Sequence, residues 1–181
     1  MTTEQQQTET VKITVDGIEM EAEKGDLLIR VAQEHGVYIP RFCWHPRMRP
    51  VGMCRMCLVQ VEGPRGPMIV PACTTPVADG MVVDTQNDTV AKAQEGVLEY
   101  LLINHPLDCP VCDKGGECQL QDLSVGYGYS ASQFKERKRV VTPKPMGPLI
   151  SAQEMSRCIH CTRCVRFGQE IAALPVFATF G

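Results

Sequence analysis

The side chains best suited to chemistry in this chain are its cysteines, which fall into three groups. Each group contains a Cys-x-x-Cys pair, a spacing typical of thiolates that share a metal centre. The ten cysteines are Cys43, Cys54, Cys57, Cys73, Cys109, Cys112, Cys118, Cys158, Cys161 and Cys164. An even number is also compatible with disulfides in a secreted protein. Segment 1–10 lacks the basic and apolar regions of a secretion signal, so metal ligation is favoured.

The first group has the spacing C-x10-C-x2-C-x15-C and consists of Cys43, Cys54, Cys57 and Cys73. Plant-type [2Fe–2S] ferredoxins use three cysteines on one loop and a distant fourth, and here only the first gap is longer. Gly52 lets the backbone approach closely, so that loop N–H groups can point at sulfur. Zinc also binds four thiolates, but zinc ribbons usually have two Cys-x-x-Cys pairs. The spacing therefore favours a [2Fe–2S] site.

The second group joins a histidine to three cysteines: His105, Cys109, Cys112 and Cys118 have the spacing H-x3-C-x2-C-x5-C. The histidine lies at the predicted end of a helix, just before a cysteine set that lacks a fourth member. A proline and two glycines between the cysteines turn the chain tightly. We predict a [4Fe–4S] site. A neutral imidazole in place of a thiolate makes the ligand set one charge less negative, and by ligand charge alone this raises the reduction potential of the cluster. The alternative for His105 is a helix C-terminal cap.

The third group, Cys158, Cys161 and Cys164, has the spacing C-x2-C-x2-C, which opens a bacterial-type [4Fe–4S] motif. The next cysteine of that motif would stand at the position of Gly168. His160 lies inside the first Cys-x-x-Cys pair and is poorly placed to complete the same site. We therefore expect a second [4Fe–4S] cluster with its fourth ligand on sequence beyond this chain, or a site that is labile or absent.

The elements around the first group follow a strand–strand–helix order. Alternating apolar residues on both sides of Asp16-Gly17 predict a β-hairpin with a type I′ turn. A short helix should follow, capped by Asp26 and closed by Gly36. Short strands are expected at 58–61, 68–70 and 81–83. This order resembles the β-grasp fold of plant-type ferredoxins and predicts an α+β protein.

A helix over 90–103 is expected to present the second group, with its cap at Asn87-Asp88 and its end before Pro106. The basic residues that follow are Lys135, Arg137, Lys138 and Arg139. They predict a solvated surface or, alternatively, a docking face for an acidic partner. The expected domains are a disordered lead-in at 1–10, a [2Fe–2S] domain at 11–86, a [4Fe–4S] domain at 87–126 and a truncated ferredoxin-like domain at 127–181.

The overall composition limits the possible functions. The net charge is −3 over 181 residues, which argues against a nucleic-acid-binding surface. No apolar run approaches the length of a membrane span. No acid–base pair, phosphate loop or nucleotide fingerprint stands out, so we assign no substrate-converting site to this chain.

Three stretches resemble the large iron–sulfur subunit of respiratory complex I, which is the G-type subunit of the bacterial NADH–quinone oxidoreductase and the 75 kDa subunit in mitochondria. They are GMCRMCL at 52–58, DCPVCDKGGECQLQD at 108–122 and CIHCTRCVRF at 158–167. The resemblance covers nearly the whole chain after residue 10. A longer gap before Cys73, at 63–67, departs from the family, and we interpret it as a lengthened hairpin loop.

The resemblance implies a role in electron transfer. It implies that the first cysteine group binds a [2Fe–2S] cluster and that the second and third groups each bind a [4Fe–4S] cluster. The implied partners are other subunits of the hydrophilic arm, including the one that binds FMN and NADH. The implied location is cytoplasmic, at the inner face of a bacterial plasma membrane. Two alternatives stay open, namely a diaphorase-type subunit or N-terminus of a hydrogenase and a zinc-stabilised interaction module without a redox role.

Overall fold

The alternating apolar residues of the N-terminal region form a five-stranded sheet in this computed structural model, which describes residues 9–179. The strands are β1 (Thr10–Val15), β2 (Ile18–Glu23), β3 (Leu58–Gly63), β4 (Gly66–Pro71) and β5 (Met81–Asp84). Their order across the sheet is β2-β1-β5-β3-β4, and β1 and β5 are the parallel pair. A helix, α1 (Leu28–Glu34), connects the first hairpin to the loop that carries the first cysteines. The predicted α+β architecture is confirmed.

The first hairpin has the expected turn. Asp16 and Gly17 both have positive φ angles, 50° and 80°, and Val15 pairs with Ile18 across the turn. The Asp16 carboxylate also accepts hydrogen bonds from the backbone N–H and the hydroxyl of Thr85, at 2.7 and 2.6 Å. Asp16 therefore shapes the turn and also ties it to the end of β5.

The predicted cap of α1 is wrong. The N-cap residue is Leu27 rather than Asp26, and no side chain caps the helix. The first free N–H groups, those of Leu28 and Ile29, instead donate to the carbonyl oxygens of Thr75 and Ala72, at 2.9 and 3.1 Å. Because the backbone that carries Cys73 satisfies these donors, the helix needs no side-chain cap.

The core of the sheet domain contains two of the candidate ligands. Val11, Ile13 and Val15 of β1 are almost fully buried and belong to the same hydrophobic cluster as Cys57 and Cys73. The alternation predicted from sequence therefore places one face of β1 in the core. It also follows that any group bound by these thiols borders the core of this domain.

The hairpin of β3 and β4 differs from its prediction. Pairing continues as far as Gly63 and Gly66, so that only Pro64 and Arg65 remain in the turn. The residues that lengthen the spacing before Cys73 therefore belong to β3 and β4, which extend beyond the predicted strands at 58–61 and 68–70. They do not form a larger loop. The ladder hydrogen bonds satisfy the added backbone polar groups, which a longer loop would leave to water.

The C-terminal half is formed by helices and loops. The helices are α2 (Asp88–Leu102), α3 (Gln119–Tyr127) and α4 (Arg163–Arg166), with a π-helical turn at Phe167–Ile171. The Asn87 side chain accepts a hydrogen bond from the N–H of Val90 at 2.9 Å, which confirms the predicted cap. None of the helices within 9–179 has the length and apolar character that crossing a membrane requires.

The chain divides into two compact units, at 1–92 and 93–181. The expected disordered lead-in lies mostly outside the described residues, which begin at residue 9. Its last residue, Thr10, starts β1, and the Glu9 carboxylate accepts a hydrogen bond from Lys24 at 2.8 Å. Residues 9 and 10 of the expected lead-in therefore take part in the structure of the first unit.

We expect Asp16→Ala to lower the free energy of unfolding of the first unit by about 2 kcal/mol, because two hydrogen bonds to a carboxylate are lost. Asp26→Ala is the matched control, since Asp26 is not the cap of α1, and it should change stability by less than about 0.5 kcal/mol. Anaerobic urea denaturation followed by circular dichroism measures both. Equal losses in the two variants would contradict this account.

Candidate iron–sulfur sites

The structure brings the four cysteines of the first group together. Cys43, Cys54 and Cys57 lie on the loop between α1 and β3, and Cys73 follows β4 directly. Three of them are buried and Cys54 is half-buried. Side-chain hydrogen bonds join Cys43 to Cys54, Cys43 to Cys73 and Cys57 to Cys73. The four thiols thus form one connected set.

Backbone groups hold these sulfurs in place. The N–H of Cys43 donates to Sγ of Cys54 at 3.4 Å, and the N–H of Met56 also bonds this sulfur. The N–H of Ala72 donates to the carbonyl of Cys57 at 2.9 Å, which ties the loops of Cys57 and Cys73 together. Loop N–H groups therefore point at sulfur, as the sequence predicted, and Gly52 in this loop has a φ of 60°.

The proximity of the thiols controls their protonation. The hydrogen bond with Cys43, and then burial, raise the pKa of Cys54 far above that of a free thiol. The hydrogen bond from Cys73 lowers the pKa of Cys57. For Cys73, the hydrogen bond with Cys43 lowers the pKa, but the bond to Cys57, burial and neighbouring sulfurs together raise it to about 12. Four thiolates can coexist here only with a cationic centre between them, so the donor set fits a [2Fe–2S] cluster.

An arginine that the sequence analysis did not single out lies beside this site. The guanidinium of Arg41 lies over the rings of Tyr38 and Trp44, at 5.2 and 4.9 Å from their centroids. Burial lowers the pKa of Arg41, whereas Tyr38 and Cys57 raise it. The cation is therefore fixed near the thiols by aromatic contacts, which residue spacing alone does not reveal.

The second group lines a single cavity of about 310 Å³. Its walls include His105, Cys109, Cys112 and Cys118. Most of the exposed wall is apolar, and the volume is in the range of small-ligand sites. The wall also includes Gly115, where a Cβ atom would approach the carbonyl oxygens of Cys109 and Cys112 to 2.8 and 3.1 Å. The loop is therefore closed tightly around a space that fits a [4Fe–4S] cluster.

The ligand candidate His105 stands on the turn that follows α2. The backbone N–H of His105 donates to the carbonyl oxygen of Leu102 at 3.2 Å. Burial, followed by the nearby charge of Lys138, lowers the pKa of His105, while Asp108 opposes this shift. The imidazole is thus kept neutral near pH 7, which is the form that binds a metal.

The basic run 135–139 contributes to this site. Nζ of Lys138 donates to the carbonyl oxygens of Leu102 and Ile103, at 2.7 and 3.1 Å. Lys138 thereby takes the helix-capping role that was the alternative for His105. Lys135 and Arg137 are exposed, so the predicted solvated surface holds for them and is wrong for Lys138.

An arginine, Arg157, lines the cavity of the second group. Nε of Arg157 donates to the carboxylate of Asp108 at 3.1 Å, and the Arg157 side chain is only 20% exposed. Both residues line the cavity. The sequence analysis missed this pair because the two residues lie 49 positions apart, and no pattern links them.

The third group is more open. Cys158 and Cys164 are exposed and Cys161 is half-buried. The N–H of His160 donates to Sγ of Cys158 at 3.4 Å, and His160 has a φ of 54°. Cys158 and Cys161 therefore lie on a turned loop with one backbone donor directed at a sulfur, and Cys164 follows in α4.

Gly168, which replaces the next cysteine of the ferredoxin motif, is buried. It accepts a hydrogen bond from the N–H of Leu174 at 2.7 Å, and a Cβ atom would lie 3.0 Å from the Leu174 carbonyl oxygen. A cysteine would therefore be crowded here.

Across residues 9–179, no three His, Cys, Asp or Glu side chains converge closely enough for a single metal ion.

Three families of iron–sulfur domains match successive parts of the chain. Residues 8–88 match a 2Fe-2S iron-sulfur cluster binding domain. Residues 94–133 match the NADH-ubiquinone oxidoreductase-G iron-sulfur binding region. Residues 147–181 match the ferredoxin-like domain of NADH-quinone oxidoreductase subunit 3. The expected [2Fe–2S] and [4Fe–4S] cofactors are thereby confirmed.

A solved structure is also similar over 94% of this chain and 70% of its own chain. It is an NAD+-reducing [NiFe]-hydrogenase in the H2-reduced state, with a TM-score of 0.75 and 28% sequence identity. The hydrogenase alternative therefore has support in the fold.

Curated relatives are closer in sequence. The NADH-ubiquinone oxidoreductase 75 kDa subunit of Reclinomonas americana is 51% identical over 94% of this chain. The G-type subunit of the NADH-quinone oxidoreductase of Rickettsia conorii is 49% identical over 91%. The chain spans about a quarter of the length of these relatives, 24% in both cases. By the order of its iron–sulfur domains and this identity, the chain belongs to the family of 75 kDa or G-type subunits of NADH–quinone oxidoreductases.

Proposed function

We propose that this chain passes single electrons between iron–sulfur clusters within an NADH–quinone oxidoreductase, on the path from NADH and FMN towards quinone. The observation that carries the proposal is that His105, Cys109, Cys112 and Cys118 all line one cavity. Three thiols and an imidazole around such a cavity suit a [4Fe–4S] cluster, whereas disulfides would pair the sulfurs. The identity of about 50% to the 75 kDa and G-type relatives supports the same role.

The proposed ligands follow the three groups. Cys43, Cys54, Cys57 and Cys73 would hold a [2Fe–2S] cluster in a domain at 11–86. His105, Cys109, Cys112 and Cys118 would hold a [4Fe–4S] cluster in a domain at 87–126. Cys158, Cys161 and Cys164 would hold three irons of a second [4Fe–4S] cluster at 127–181, and the fourth iron would need a ligand that these three cysteines do not supply.

The clusters supply reversible one-electron chemistry when bound, and the protein's contribution is to hold and tune them. At the first site, the backbone N–H groups of Cys43 and Met56 stabilise negative charge on Cys54 sulfur. At the second site, neutral His105 removes one negative charge from the ligand set. These features set the potentials through hydrogen bonding and charge.

The proposed setting is the hydrophilic arm of the complex, at the cytoplasmic face of a bacterial plasma membrane. The subunit that binds NADH and FMN would be among its partners, and substrates would be converted outside this chain. The hydrogenase-type role is the second candidate, because the fold matches a hydrogenase chain with a TM-score of 0.75. The chain is 51% identical to a 75 kDa subunit of NADH-ubiquinone oxidoreductase but only 28% identical to the hydrogenase chain, which favours the complex I role.

Anaerobically purified protein tests the proposal directly. We expect a brown preparation with about six iron and six sulfide ions per chain from the first two sites. Electron paramagnetic resonance after dithionite reduction should show one [2Fe–2S] and one [4Fe–4S] signal. A colourless, zinc-containing preparation would refute the electron-transfer role and support the zinc-stabilised alternative.

His105→Cys should keep the second cluster but lower its midpoint potential, because a thiolate adds one negative charge. We expect a change of at least about 59 mV, one tenfold step for a one-electron couple. A redox titration followed by paramagnetic resonance measures it. His35→Cys adds a thiol in the first unit and is the control. An unchanged midpoint in His105→Cys would count against ligation by His105.

Gly115→Ala should abolish the second cluster, because its Cβ atom would contact the Cys109 carbonyl oxygen at 2.8 Å. Gly126→Ala is the matched control, since a Cβ atom there meets nothing within 4 Å. The first variant should lose about four irons per chain and the second none. Full iron content in Gly115→Ala would show that the loop does not close around a cluster.

A further inference from the structure

Lys138 differs from its basic neighbours in its surroundings. Its side chain is half-buried, whereas Lys135, Arg137 and Arg139 are exposed. Its ammonium donates to two backbone carbonyl oxygens, those of Leu102 and Ile103, at 2.7 and 3.1 Å. The ammonium is thus fixed at the C-terminal end of α2, where the free carbonyls carry partial negative charge.

The same contacts involve the turn that presents His105. The carbonyl oxygen of Leu102 accepts from Lys138 and also from the N–H of His105, at 3.2 Å. One residue further along, the N–H of Arg139 donates to the Asn104 side chain at 2.9 Å. Residues 138 and 139 therefore bind both the end of α2 and the residue directly before His105.

We propose that Lys138 is a positioning residue for the His105 ligand and a fixed positive charge that raises the reduction potential of the adjacent [4Fe–4S] cluster. This inference rests on the proposed function, since it needs the cluster at His105, Cys109, Cys112 and Cys118. It adds Lys138, which is distant in sequence from the four ligands, as a residue that controls the reduction potential of this cluster.

Charge compensation is the physical basis. Reduction adds one electron to an anionic centre, so a nearby cation stabilises the reduced form. Arg157 lines the cavity, but its charge is paired with the carboxylate of Asp108. Lys138 instead bonds neutral carbonyls. Its charge is therefore less compensated, and without it the negative end of α2 would face the site.

The test compares Lys138→Gln, Lys138→Arg and Lys135→Gln with the wild-type chain. Gln removes the charge but keeps N–H donors, and Arg keeps both. The exposed Lys135 controls for a general loss of charge from the same segment. Each anaerobic preparation is titrated with dithionite as the reductant, and paramagnetic resonance follows the [4Fe–4S] signal. The [2Fe–2S] midpoint in the same sample is an internal reference.

We expect Lys138→Gln to shift the ratio of reduced to oxidised [4Fe–4S] cluster about tenfold towards the oxidised form, which is 59 mV for one electron. Lys138→Arg and Lys135→Gln should stay within about twofold of wild type. Loss of the cluster in Lys138→Gln with retention in Lys138→Arg would equally support the proposal.

An unchanged midpoint in Lys138→Gln would overturn the inference. An equal shift in Lys135→Gln, or loss of the cluster in both Lys138 variants, would overturn it as well. The absence of any [4Fe–4S] signal in the wild-type chain would instead refute the proposed function. The two failures are therefore distinguishable.

Discussion

The structure depends on holding several cysteine sulfurs close together at each candidate iron–sulfur site. Thiolates repel one another, and burial increases the cost of their charge. The first site shows the conflict directly, since a hydrogen bond between thiols and burial raise the pKa of Cys54 and of Cys73, whereas the hydrogen bond from Cys73 lowers the pKa of Cys57. The iron of the [2Fe–2S] cluster proposed at this site would supply the positive charge that resolves it. Because Cys57 and Cys73 belong to the hydrophobic core, binding of that cluster would be coupled to the stability of this domain.

The first and second candidate sites differ in the groups that offset the negative charge of the thiolates. At the first site, four cysteines come from two loops that the backbone bond between Ala72 and Cys57 holds together, and N–H groups point at sulfur. In the ligand set proposed for the second site, His105 takes the place of one thiolate, and Lys138 lies near this histidine. Hydrogen bonds and the Arg41 guanidinium would thus compensate charge at the first site, whereas a neutral ligand and Lys138 would do so at the second. This difference would give the protein separate means of tuning the two potentials.

Local patterns in the sequence predicted most of the fold and the classes of iron–sulfur cofactor, whereas the ligand sets stay a prediction. The turn at Asp16-Gly17 and the cap at Asn87 depend on neighbouring residues, and both were correct. The cap at Asp26 was wrong because backbone around Cys73, distant in sequence, satisfies the N–H groups of α1. Lys138 was predicted only as part of a basic run, and its bonds to α2 were not predicted because its partner Ile103 lies 35 residues away. Contacts of this kind depend on tertiary structure, which residue spacing does not encode.

Anomalous X-ray diffraction at the iron absorption edge, on crystals of the anaerobically purified chain, tests the central claim most directly. The account predicts one iron peak enclosed by Cys43, Cys54, Cys57 and Cys73. It predicts a second peak in contact with His105 and with the sulfurs of Cys109, Cys112 and Cys118. Anomalous signal at the zinc edge only, or sulfurs joined to one another as disulfides at these positions, would contradict it.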